Sequence, residues 1–306
     1  MVRIAADISW LVGHTPLVDL GRLSPPGTRI VGKLEAWSPS GSNKDRAALG
    51  MIQHAAQNGF LKPGGTIVEC SSGDLGLAVA TIGRRLGYRV VLTMPDSVTP
   101  ERRSLLTAIG AEIVTTSGDQ GMRAAMARAN ELTRSTDGAY CLQAFTNRAN
   151  ARAHAETTAR EIWEDTNGQV NAVVVPVGTG GTAAGCADFF AQHEVEVIAV
   201  QPANSAVLTG GSAAPHNSPG RGAGFIPDIL SPSRLDEVLS VSDDDARTTN
   251  QRLMREESLL LGPASGAVAC AAISLAERDE YAGKMIVAVL PDAAERNLDH
   301  WMQETL

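Results

Sequence analysis

From Ile30 onward the chain alternates short, continuous apolar runs with segments whose apolar residues recur every three or four positions. Runs of the first kind read as buried strands and segments of the second as amphipathic helices. Ile30 to Leu34, TIVEC (66–70), RVVLTM (89–94), EIVTT (112–116) and YCLQ (140–143) are the strands of the first part. NAVVVPV (171–177), EVIAV (196–200), EVLSV (237–241) and MIVAVL (285–290) are those of the second. Helices fall between them. Ala48, Met51, Ile52 and Ala55 mark one that follows Lys44, and others are expected over Leu77 to Leu86, after Thr99, at about 121–133, near 152–164 and after the glycines at 178–185. Thr99 can cap its helix with Pro100 at the first position, and Ser242 can cap an acidic one. A helix from Ser265 and a terminal helix complete the pattern.

Repeated strand–helix units with continuous apolar strands predict parallel sheets buried on both faces. The expected fold class is α/β, with two three-layer domains. The smaller spans 37–149, and the larger is made of 1–36 with 150–306. Ligands of such sheets bind at the carboxyl ends of the strands. Residues 202–236 break the alternation: Pro202, Gly210, Gly211, Gly220, Gly222, Gly224 and Pro227 punctuate a long irregular excursion of the kind that forms lids.

Composition narrows the partners. A length of 306 residues suits two domains or one large α/β unit, and a 43% hydrophobic content is ample for burial. The net charge of −8 speaks against nucleic acid or an anionic membrane surface as partner. No apolar stretch approaches the ~20 residues of a membrane span, and the N-terminal residues lack a secretory apolar run, so a cytoplasmic location is expected. Cys70, Cys141, Cys186 and Cys270 are scattered without paired spacing. They read as buried free thiols, and no metal site is expected.

Three glycine-bearing loops follow strands: SPSGSNKDR (38–46), SSGDLG (71–76) and GTGGT (178–182). Lys44 stands at the start of a helix, whose positive end disfavours an ammonium, and a neutral lysine attacks carbonyls to form Schiff bases. An ordinary surface lysine is the competing reading. Gly178 to Thr182 join an apolar strand to a helix, which offers unhindered N–H groups to an anion. Gly178, Gly180 and Ala183 satisfy a dinucleotide fingerprint, but the next strand ends at Gln201 rather than in an acid. A Walker loop fails because no Lys-Ser/Thr follows, and a mere tight turn is the remaining alternative. A reactive lysine with a separate phosphate cradle is what pyridoxal 5'-phosphate requires.

GHTPLV, SPSGSNKDR, the loop after TIVEC, TMPDSVTPERR, GTGGT, GAGFIP and LPDAAER occur in this order along almost the whole chain. In this the sequence resembles the cysteine synthase and cystathionine β-synthase family, pyridoxal-phosphate-dependent enzymes of fold type II. The resemblance implies a cofactor in the cleft between the two domains and a homodimer. It makes Lys44 the Schiff-base lysine and the base that removes the substrate α-proton. Gly178, Thr179, Gly180, Gly181 and Thr182 hold the phosphate. Asp74 and Ser265 stand at the positions that face the cofactor ring. Ser71, Ser72, Gly73, Leu75, Gln143, Ala144 and Gly222 fall at substrate positions.

The departures bear on chemistry. Asp74 stands where the family has an Asn that donates to the ring hydroxyl oxygen, and an ionised carboxylate only accepts. It must be protonated, pair with a cation, or turn away to cap its helix. Ala144 replaces a second Gln, and Ala264 replaces the Ser that meets the ring nitrogen, with Ser265 surviving beside it. Asn43 replaces an apolar residue, and either supplies the missing donor or faces solvent. The function this implies is β-replacement or β-elimination on a serine- or cysteine-like amino acid through an aminoacrylate, with a thiol or amine nucleophile and a specialised substrate. A non-catalytic cofactor-binding relative and a hydroxy-amino-acid dehydratase or racemase are the alternatives.

Overall fold

A computed structural model describes residues 4–214 and 220–297. Its strands form two sheets. The larger has the order β1-β2-β10-β7-β8-β9, from Leu17–Asp19, Arg29–Leu34, Met285–Leu290, Ala172–Pro176, Glu196–Pro202 and Glu237–Val241. All its pairings are parallel except β1 with β2. The smaller has the order β5-β4-β3-β6, from Glu112–Thr116, Arg89–Pro95, Thr66–Cys70 and Ala139–Cys141, and is wholly parallel. The strands of the smaller sheet all lie within 37–149 and those of the larger all lie outside it.

Side-chain alternation explains the layers. On β7, Ala172 and Val174 enter one core while Val173 and Val175 enter another, so the large sheet is covered on both faces. On β3, Ile67 packs with the helices α1 (Lys44–Gln57) and α2 (Asp74–Arg85), whereas Val68 and Cys70 pack with α4 (Gly121–Ser135). Helix α3 spans Pro100–Ala108 with Thr99 as its cap, as expected. The helix expected near 152–164 begins earlier, because Asn147 caps α5 (Arg148–His154) by accepting from Ala149 N. One π turn, Ala155–Ala159, joins it to α6 (Arg160–Asp165). Helices α7 (Gly181–Phe190), α8 (Asp243–Glu256) and α9 (Pro263–Ala276) complete the set, with Ser242 capping α8. Beyond Pro202, which ends its strand, residues 203–236 hold only short 3-10 turns among the described residues. Of the expected terminal helix, Ala294–Asn297 is a 3-10 turn and the rest lies outside the described residues.

The described cysteines are free, Cys70 and Cys186 buried and the other two half-buried. No described helix is long and apolar enough to cross a membrane.

Candidate active site

Helix α1 starts at Lys44, and its first turn is held from below by Arg46, which is almost wholly buried. The Arg46 guanidinium donates to Glu35 at 2.7 and 2.8 Å, to Glu161 at 2.7 Å from each of two nitrogens, and to Thr15 at 3.0 Å. Lys33 reaches Glu161 at 2.9 Å. This network ties the Lys44 helix to β2 and α6. On its other side, the Lys44 loop is stitched to the end of β10: Asn43 N donates to Pro291 O at 2.9 Å, and Ser42 bridges Asp292.

The Lys44 amine is half-buried, and burial lowers its pKa against the opposing pull of Asp74, Asp292 and Glu35. A depressed pKa was expected, but desolvation is its main cause rather than the helix end. Lys44 Nζ donates to Asn43 Oδ1 at 2.6 Å, and Asn43 Nδ2 donates to Thr182 Oγ1 at 3.0 Å. Asn43 therefore does not face solvent: its Oδ1 accepts from Lys44 and one N–H of its amide goes to Thr182. One amide joins the lysine to the glycine loop.

That loop is bare backbone for a reason. Gly180 sits at φ 86°, and an added Cβ at Gly181 would fall 1.9 Å from Asn150 Oδ1. At Gly178 a Cβ would meet Gly220 O at 2.6 Å. The first turn of α7 leaves N–H groups without intrahelical acceptors, and they face a loop kept open by glycine. Asn150 donates to Thr179 Oγ1 at 3.0 Å and to Ala144 O at 2.9 Å. Its own Oδ1 is buried with no partner among the described residues. Lys44 and the bare cradle 178–182 fit a phosphate-bearing carbonyl cofactor.

The remaining expected residues divide. Asp74 is the first residue of α2, not its cap, and its carboxylate meets Arg102 Nη1 at 3.3 Å; of the three possibilities, the cation partner is the one realised. Ser71 Oγ accepts from Gly76 N at 2.8 Å and Gly73 N at 3.3 Å, so its hydroxyl serves the helix end, while Ser72 is exposed. Leu75 and Ala144 are buried in the core that packs against the smaller sheet, so only their backbone can meet a substrate. Gln143 is exposed at φ 55°, with its amide 3.3 Å from Asn130. Gly222, at φ 67°, donates its N–H to Val177 O at 2.9 Å beside the cradle. Phe225 meets Phe145 with ring centres 5.1 Å apart, so the irregular excursion touches the segment that follows β6.

Sequence reasoning missed the role of Asp292. Its carboxylate takes the N–H groups of Ala264 and Ser265 and the Ser265 hydroxyl, at 3.2, 2.9 and 2.7 Å. Ser265 is thereby committed to the cap of α9, and burial pushes Asp292 up to about 6. The signal was an acid directly after a parallel strand, at the carboxyl end where sites form.

Comparison with known proteins agrees with this geometry. Residues 8–292 match the family described as pyridoxal-phosphate dependent enzyme, and the chain belongs to that family. It is 43% identical to a probable cysteine synthase of Bacillus subtilis, over 98% of this chain and 99% of that one. The solved cysteine synthase of Entamoeba histolytica superposes with a TM-score of 0.93 at 38% identity, over 97% of this chain and 90% of that one. A solved O-ureido-L-serine synthase gives 0.93 at 36% identity, over 99% and 100%. The fold is thus fold type II, and the chain is a pyridoxal-phosphate-dependent enzyme of the cysteine synthase type.

Proposed function

We propose that this enzyme carries out β-replacement on an activated serine- or cysteine-like amino acid, with Lys44 as cofactor lysine and base and 178–182 as phosphate cradle. The observation that carries it is the single amide of Asn43, which spans the Lys44 amine and Thr182 of the cradle. When bound, pyridoxal phosphate supplies the electron sink that acidifies the substrate Cα–H. Lys44 Nζ, whose pKa burial lowers, takes that proton in its neutral form while the Cβ substituent departs with its bonding electrons. A thiol or amine then adds at Cβ, and Lys44 returns a proton to Cα. The exposed Ser72 hydroxyl and the N–H groups at the start of α2 receive the substrate carboxylate. Arg102 neutralises Asp74 there, removing a like charge that would repel it by roughly 1–4 kcal/mol at ~4 Å.

A specialised substrate is supported by the Asp74–Arg102 pair and by Ala144, which brings no side-chain amide to the clamp. The neighbour named O-ureido-L-serine synthase shows that this scaffold serves more than one product. The exposed Trp10, Trp37 and Leu260 support the expected homodimer, and a cytoplasmic location is part of the same reading. The test is turnover of O-acetylserine with sulfide against other nucleophiles, such as hydroxyurea and small amines. One pairing should exceed the rest in kcat/KM by at least about tenfold, a difference of ~1.4 kcal/mol in transition-state stabilisation. Cofactor binding with no turnover across the panel would favour the non-catalytic reading, and ketoacid release without a nucleophile would favour a dehydratase.

A further inference from the structure

The amide of Asn43 is buried and its orientation is fixed by chemistry. An ammonium only donates, so Lys44 Nζ faces Oδ1 at 2.6 Å, and Nδ2 is left to donate to Thr182 Oγ1 at 3.0 Å. Thr182 then has its own proton to give, and His154 Nε2 lies 3.3 Å away. Burial and the neighbouring Arg46 and Lys44 cations hold the His154 imidazole well below its ordinary pKa, so it is neutral and Nε2 can accept. Its Nδ1–H faces Thr158 Oγ1 at 2.9 Å. The hydrogen bonds therefore run one way, from Lys44 through Asn43, Thr182 and His154 to Thr158.

We propose that Asn43 is a positioning residue that sets the place and the basicity of the Lys44 amine and couples both to Thr182 of the glycine loop. The charged groups facing the amine are Asp74 from α2, Asp292 after β10 and Glu35 before the Lys44 loop, with the Arg46 network below. Those anions favour the ammonium in any conformer that keeps the amine among them. Asn43 Oδ1 adds a directed acceptor that an apolar side chain cannot offer. Thr182, by accepting the hydrogen bond from Nδ2–H, keeps that acceptor aimed. The inference deepens the proposed function but needs only the lysine and its neighbours, so it can be tested without cofactor.

The chain has four lysines, Lys33, Lys44, Lys62 and Lys284, so each is separately visible by peptide mass spectrometry. The pH dependence of acetic anhydride labelling of Lys44 in the full-length, cofactor-free protein gives its apparent pKa, with exposed Lys62 as internal reference. Asn43→Val should lower the ionisation midpoint by about one pH unit, a tenfold change, and Asn43→Asp should raise it by as much or more. Thr182→Val should move it in the Asn43→Val direction by a smaller step. Opposite shifts for Asn43→Val and Asn43→Asp are a signature that loosened packing does not produce. An unmoved midpoint in Asn43→Val, or shifts of the same sign in both, overturns the assignment; an unmoved midpoint in Thr182→Val overturns the coupling. Asn43→Asp is nearly isosteric and keeps the test open should Asn43→Val fail to fold. Because no cofactor is present, failure here leaves the role of Lys44 as cofactor lysine to be judged separately.

Discussion

Replacing Arg46 by Met keeps most of the side-chain volume and removes the charge that organises the base of the Lys44 helix. Glu35, Glu161 and Thr15 would then lose five hydrogen bonds, the ones Arg46 makes to them. Lys33 would still reach Glu161 at 2.9 Å, but Glu35, fully buried, would keep among the described residues only the Thr15 hydroxyl as a side-chain partner. Breaking a buried pair by removing one partner costs about 3–5 kcal/mol. The pKa of Glu161 gives a second measure: it is held at about 2 instead of 4.5, mainly by Arg46 with help from Lys33 and against its own burial. A depression of that size corresponds to roughly 3 kcal/mol. The sign follows. In the native protein this stabilisation is present above the unfolded pKa and is lost as pH falls towards 2. In Arg46→Met the carboxyls are raised instead, so the deficit against wild type should shrink as pH falls from 7.5 to 5 and they take up protons. Urea unfolding at the two pH values measures it. A deficit under about 1 kcal/mol at pH 7.5, or one that grows towards pH 5, would refute the reasoning.

Glu69 is fully buried, its Oε2 has no partner among the described residues, and burial pushes it up to about 7. A raised carboxyl pKa stabilises at low pH and loses that contribution as pH rises through 7. Glu69→Gln should therefore gain up to roughly 3 kcal/mol on wild type between pH 5 and pH 8 in denaturant titrations, and equal differences at both pH values would contradict it. Ser71 and Ser72 should separate: Ser71→Ala costs stability, about 1 kcal/mol as for a lost cap, whereas Ser72→Ala leaves the melting temperature unchanged and raises KM. The reverse assignment would show that the substrate site is built from the other hydroxyl.

The strands and most helices were legible because both faces of each sheet are buried, so apolar runs and punctuation carry the signal. Boundaries moved where a side chain capped from outside the periodic segment. Ser71 reaches Gly76 N, so α2 starts at Asp74 rather than near Leu77, and Asn147 starts α5 at Arg148. The lysine and the glycine loop were legible as chemistry, whereas the contacts that define their surroundings were not. Asp292 meets Ser265 27 residues away, and Arg46 meets Glu161 115 residues away. No local period encodes such pairs. Side-chain direction was equally hidden: Leu75 stands in the first turn of α2 and Ala144 just after β6, places that suit a binding site, yet both point into the core. Asp74 could be narrowed to three possibilities, and only the fold brought Arg102 to it.

The central claim is that Lys44 is the residue that takes the cofactor. Lys33 is buried in ion pairs with Glu161 and Asp165, and Lys284 lies over the Tyr281 ring, 4.7 Å from its centre. Incubating the full-length protein with pyridoxal phosphate, reducing with borohydride and mapping peptides by mass spectrometry tests the claim directly. The modification should fall on Lys44 at one equivalent per chain and vanish in Lys44→Ala. Labelling spread over Lys62 and Lys284, or unchanged by that substitution, would contradict it.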